Sequence, residues 1–124
     1  MKGQEKETNL SEEVISIYED LLGTIWQRIL PTIGQVATTT IIERALALTV
    51  KDHPLLKHLQ ITEKGLSFER LRQNISEGDA DALQEALKEL VAHLFDILTM
   101  LTGNILLQHL EEELEKARTK LQRH

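Results

Sequence analysis

The chain has 124 residues, a formal charge of −6, and 41% hydrophobic against 27% charged residues, which suits one globular domain with a single core. Its 14 basic residues are outnumbered by 20 acidic ones, so no face is basic enough to neutralise a phosphate backbone and nucleic acid is not an expected partner. The absence of cysteine removes disulfides, thiolate catalysis and cysteine-ligated metal centres, and a 3% aromatic share leaves an aliphatic core suited to helix-on-helix packing.

The N-terminal MKGQEKETNL is polar and lacks an apolar signal core. Residues 1–8 are therefore expected to be flexible, residues 9–124 to form one helical domain, and the protein to be cytoplasmic. The longest uncharged runs, Ile29 to Ile42 and Ile97 to Leu110, are 14 residues each, shorter than the roughly 20 a membrane-spanning helix needs.

The first helix is expected to start after Asn9 or Ser11, with Glu12 completing a capping box and suiting the positive end of the dipole. Val14, Ile17, Leu21, Leu22, Ile25 and Ile29 recur at three and four, and Pro31 is expected to stop the helix near Leu30. Thr32 and Gln35 form a second capping box for a helix running to about Asp52. Ile33, Val36, Ala37, Ile41, Ile42, Ala45, Leu46, Leu48 and Val50 make that helix apolar over most of its circumference, so it is expected at the centre of the fold.

Asp52, His53 and Pro54 then break the chain before one short helical turn bearing Leu55, Leu56 and Leu59. Ile61-Thr62-Glu63-Lys64-Gly65-Leu66 alternates around a turn glycine and predicts a tight turn between two very short strands. These six residues resemble the segment leading out of the wing in winged-helix transcription regulators, where Leu-Thr-Glu-Lys-Gly is frequent. No helix-turn-helix with basic recognition residues precedes them here. Ser67 is placed to cap a short helix bearing Phe68, Leu71 and Ile75, closed by Gly78.

From Asp79 a single pattern extends to near His124. It reads Leu83, Leu87, Leu90, Leu94, Ile97, Leu101, shifts phase around Gly103 and Asn104, and resumes as Leu107, Leu110, Leu114, Ala117, Leu121. One helix of that length approaches about 70 Å, roughly twice the width of a domain this size. It is expected to bend or change packing partner at Gly103. Its distal apolar side, with Leu107, Leu110, Leu114 and Leu121, is expected to form a coiled-coil-like homodimer interface. Gly34 is expected to permit close helix contact together with Ala37.

No chemistry stands out. The five histidines form no Glu-x-x-His pair of the kind a helical di-metal site uses, and His93 and His109 lie in apolar surroundings unlike those of phosphorelay histidines. No Ser, His and Asp are placed by a recognisable turn, and no Gly-rich phosphate loop is present. No metal, cofactor or catalytic residue is expected. A polar set, Gln35, Thr38, Arg44 and Asn104, offers a candidate small-molecule pocket between the second and the long C-terminal helix. Were Arg44 turned inward, Glu19 or Asp20 would be its candidate partner.

The expectation is an all-α bundle of three main helices with a short helix and turn insert, dimerising through its long C-terminal helix. Functionally this favours a non-enzymatic regulatory or scaffold module, signalling-associated or an adaptor, that binds itself or a protein partner. The alternatives are a helical small-molecule sensor and an acidic transcription regulator.

Overall fold

The computed structural model describes the backbone of residues 2–122 and the side-chain surroundings of residues 10–76, 78–103 and 110–121. It is mainly helical, as expected. In chain order the elements are α1 (Lys2–Ile33), α2 (Gln35–Asp52), a 3-10 turn (Pro54–His58), β1 (Gln60–Thr62), β2 (Gly65–Ser67), α3 (Glu69–Gln73), a second 3-10 turn (Glu77–Asp79), α4 (Ala80–Thr102) and α5 (Asn104–Gln122).

The long C-terminal helix of the sequence reading is two helices. At Gly103 the backbone adopts φ 72° and ψ −154°, a combination essentially confined to glycine. The chain reverses there and α5 lies back along α1 and α4. The bundle thus has four long helices, and the distal apolar stripe, expected to form a dimer interface, packs against the chain's own core. Leu110 is fully buried, Ala117 nearly so, and Leu114 and Leu121 are half-buried against the same core. The side chain of Leu107 lies outside the described residues.

The first reversal works the same way. α1 runs through Pro31 and ends only at Ile33, because a proline near a helix end costs one bond while Gly34, at φ 91° and ψ 167°, takes a backbone that stops the helix outright. No atom lies within 4 Å of where a Gly34 side chain would begin, so this glycine serves conformation and not close packing. The expected Thr32 capping box is absent: Gly34 is the N-cap of α2 and no side chain caps it. At its other end α1 begins at Lys2, upstream of the expected cap, since Lys, Gln and Glu extend a nucleated helix at little cost.

α1 and α4 each pack against all three other long helices, while α2 and α5 flank them on opposite sides. The centre is therefore the α1/α4 pair and not α2. Along α4, Leu83, Leu87, Leu90, Val91, Leu94 and Leu98 are buried at helical spacing, and they meet Val14, Ile15, Tyr18, Leu22, Ile25 and Ile29 of α1 in one core. α2 buries only the stripe Thr38, Ile41, Ile42, Ala45 and Thr49, and Val36 stays 80% exposed.

The segment between α2 and α4 is a strap along the outside. β1 and β2 pair antiparallel with Ile61 opposite Leu66, confirming the two short strands. Gln35 Nε2 donates to the Glu63 carbonyl at the hairpin tip (3.2 Å), and the Gly65 backbone lies over the Trp26 ring, which a side chain there would meet at 3.6 Å. Downstream, Arg72 of α3 forms a fork with Glu19 (2.7 and 3.2 Å) and reaches Glu12 (2.8 Å). Hydrogen bonding to Glu19 raises the Arg72 pKa further above its ordinary value, burial opposes the rise, and Glu12 adds to it. The strap ends where Ser11 Oγ donates to the Ser76 carbonyl (3.0 Å), and a Ser76–Asp79 capping box leads into α4.

Candidate functional site

Of the four residues expected to line a pocket, the three that are described, Gln35, Thr38 and Arg44, do not share a face of α2. Gln35 and Arg44 are nine residues apart on α2, which puts them on opposite faces of a helix with 3.6 residues per turn. Both are exposed. Arg44 does not turn inward, and Glu19, its candidate partner, is held by Arg72. Thr38 is fully buried, with its hydroxyl unpartnered among the described residues. The side chain of Asn104 lies outside the described residues. Elsewhere on α2 and α4 threonines satisfy themselves within the helix: Thr40, Thr99 and Thr102 each donate to the carbonyl one turn back, at 2.7 to 2.8 Å.

No group of three or more His, Cys, Asp or Glu side chains that could hold an ion occurs among the described residues. His53, in the break between α2 and the first 3-10 turn, is part-buried and its Nε2 meets the Glu89 carboxylate. His93 has its Nε2 buried without a partner among the described residues, and His109 lies outside them. Among the described residues no helix is long and apolar enough to cross a membrane.

What the structure does offer is a half-open cleft of about 670 Å³ between α4 and α5, floored by Tyr18 of α1. Its α4 wall carries Gln84, Lys88, Val91, Ala92, Phe95 and Asp96, and its α5 wall carries Leu114, Ala117, Arg118 and Leu121. The register of the walls follows from a smaller hollow of about 120 Å³ below it, where Gln84 and Leu121 meet again beside Leu10 and Val14. These two residues therefore sit at one level. Because α4 and α5 are antiparallel, each turn up α4 is a turn back along α5, which sets Lys88 opposite Ala117 and Arg118, and Val91 opposite Leu114.

The cleft is apolar at its base and charged at its rim. Tyr18 is buried and lines the cleft, and burial raises its pKa above 10.0, Arg118 opposing and Glu85 adding to the rise. Arg118 forms an exposed ion pair with Glu115 one turn away (3.0 Å), a class of pair worth little in water. Lys88, Gln84 and Asp96 have no hydrogen-bond or ion-pair partner among the described residues. The sequence showed these residues as an ordinary stripe with an ordinary charged edge. Only the reversal at Gly103 sets α5 beside α4, so a pocket between them was not predictable from periodicity.

The chain was compared with protein families, with curated proteins and with solved structures, and none of them matches.

Proposed function

We propose that this protein is a non-enzymatic regulatory module that binds a small molecule in the cleft between α4 and α5. One observation carries the reading: the cleft falls in the size range of small-molecule sites, is lined by apolar side chains, and is edged by Gln84, Lys88 and Asp96, which have no partner among the described residues. Among the described residues none that lines it is a histidine, serine or cysteine, which favours binding over covalent turnover. A ligand touching both walls would tie α5 to the α1/α4 core and so convert occupancy into rigidity of the C-terminal helix. Fragment screening by amide NMR tests this. Shifts confined to Tyr18, Val91, Ala92, Phe95, Leu114 and Ala117 are expected, and shifts scattered over other faces would sink the proposal.

A second reading, self-association, is supported by a different place. Val36, Met100 and Leu101 are 80%, 84% and 66% exposed. α2 and α4 are antiparallel neighbours, so the first turn of one and the last turns of the other bring these side chains to the same pole of the bundle. Large exposed aliphatic groups gathered at one end suit an interface. Sedimentation of Met100→Glu with Leu101→Glu tests it: loss of an oligomer supports this reading, and an unchanged mass removes it.

A further inference from the structure

The rim of the α4/α5 cleft carries a bias that the rest of the chain does not. The protein as a whole has a charge of −6, yet among the described residues the charged side chains lining the cleft are two cations, Lys88 and Arg118, and one anion, Asp96. The register places the two cations at one level on opposite walls. Among the described residues the only ion pair that either makes is the exposed Arg118–Glu115 contact, with both side chains more than half in solvent. Tyr18 lines the same cleft, and its phenol feels the charge of Arg118 and, in the opposite sense, that of Glu85. Above them, Val91, Ala92, Phe95 and Leu114 continue the apolar surface for about one to two helical turns, and Asp96 stands at the far end.

We infer that the ligand is an amphipathic monocarboxylate, its carboxylate held between Lys88 and Arg118 with the Tyr18 hydroxyl donating to it, and its apolar body lying along Val91, Phe95 and Leu114. A carboxylate is the anion that matches this set. Arg118 offers a planar fork, Lys88 a point charge and Tyr18 a neutral O–H donor, together enough to replace the water lost by two oxygens. Partial enclosure over an apolar floor strengthens these charge-assisted bonds relative to bulk water. Asp96 sets the polarity of the site: a ligand with a second negative charge at its far end meets repulsion there, so the tail is uncharged. The inference rests on the proposed function, since it names the ligand class of the same cleft.

Calorimetric titration with decanoate, decanol and decylammonium, on the full chain and on three variants, tests it. Lys88→Gln and Arg118→Gln remove the charges at exposed positions, and Ala92→Trp, also at an exposed position, fills the cleft without entering the core. Decanoate is expected to bind about tenfold or more tightly than the alcohol or the cation, and each charge variant is expected to weaken decanoate, and not decanol, by about tenfold. Ala92→Trp is expected to abolish decanoate binding while circular dichroism stays unchanged. Equal binding of decanoate and decanol, both lost in Ala92→Trp, would overturn the anion inference and leave the cleft as the site. Binding that survives Ala92→Trp, or no binding of any probe, would overturn the inference and the proposed function together. A fall in sedimentation mass of Ala92→Trp would overturn the inference by showing that a second copy of the chain occupies the cleft.

Discussion

Gly34 and Gly103 occupy equivalent junctions. Each is the sole residue between two long helices, each has positive φ with ψ far into the extended range, and each donates its N–H to the carbonyl four residues back, Leu30 at 2.8 Å and Thr99 at 2.9 Å. Neither has an atom within 4 Å of where a side chain would begin. The need for glycine is thus one of backbone conformation alone, and it recurs at the two points where the bundle turns.

Alanine substitutions should separate this role from ordinary glycine. Gly34→Ala and Gly103→Ala are each expected to cost ~1–3 kcal/mol through the strained φ. Gly23→Ala, in the exposed middle of α1 with no neighbour within 4 Å, is expected to stabilise by ~0.5–1 kcal/mol. Thermal melts of the three variants check this, and equal shifts in one direction would contradict it. Nothing in the structure explains why Gly23 is a glycine.

Leu110 anchors α5. Its side chain is fully buried within its own chain, so Leu110→Ala is expected to cost ~2–5 kcal/mol by leaving a cavity, with no change in sedimentation mass. Hydrogen exchange should show α5 opening first. A drop in mass at unchanged stability would return this residue to an intermolecular interface.

Thr38 buries a hydroxyl with no partner among the described residues, although the carbonyl one turn back, that of Gly34, accepts the Thr38 N–H at 3.0 Å. Thr38→Val keeps the shape and removes the unsatisfied group, so it is expected to stabilise by ~1 kcal/mol in denaturant unfolding. A loss of that size would reveal a hydrogen bond made by the hydroxyl.

Arg72 ties the strap to α1 through two carboxylates. With Arg72 partly buried and both acids about half exposed, Arg72→Met is expected to cost ~1 kcal/mol at low salt and less at ~1 M salt, where screening weakens the pair. An equal cost at both salt concentrations would mean that packing of the side-chain stem dominates.

Tyr18 supplies a pH dependence. Burial holds its folded-state pKa above the unfolded value of 10.0, so the folded state keeps its phenolic proton longer than the unfolded state does. That contribution to stability is complete below pH 10 and declines as pH rises through the folded pKa. Tyr18→Phe is expected to lose stability less steeply than the parent between roughly pH 10 and 12, and parallel curves would refute the assignment.

Much of the architecture was legible in the sequence. The stripes of α1, α2 and α4, the hairpin around Lys64-Gly65 and the disturbance at Gly103 all follow from residue type and spacing. What was not legible is how far each signal goes. A helix-breaking glycine and a helix-bending glycine look alike until φ is known, and continuing the stripe past Gly103 turned a reversal into a 70 Å rod. The same error hid the cleft, because Lys88 and Arg118 face each other only if α5 folds back. Pro31 misled in the opposite sense: its punctuation is strong, yet the helix carries on to the next glycine.

Single-residue reversals also decide where such a chain can be opened. Neither Gly34 nor Gly103 leaves a loop for a protease to draw into an extended conformation, whereas the strap presents Glu63 and Lys64 on an exposed tip. A cut after Lys64 would divide the protein into two halves, each a pair of long helices, with the α1/α4, α1/α5 and α2/α4 contacts all running between them. The nicked halves should stay associated through that shared interior, so that the domain behaves as a two-piece clasp in which the piece bearing both walls of the cleft can be supplied separately.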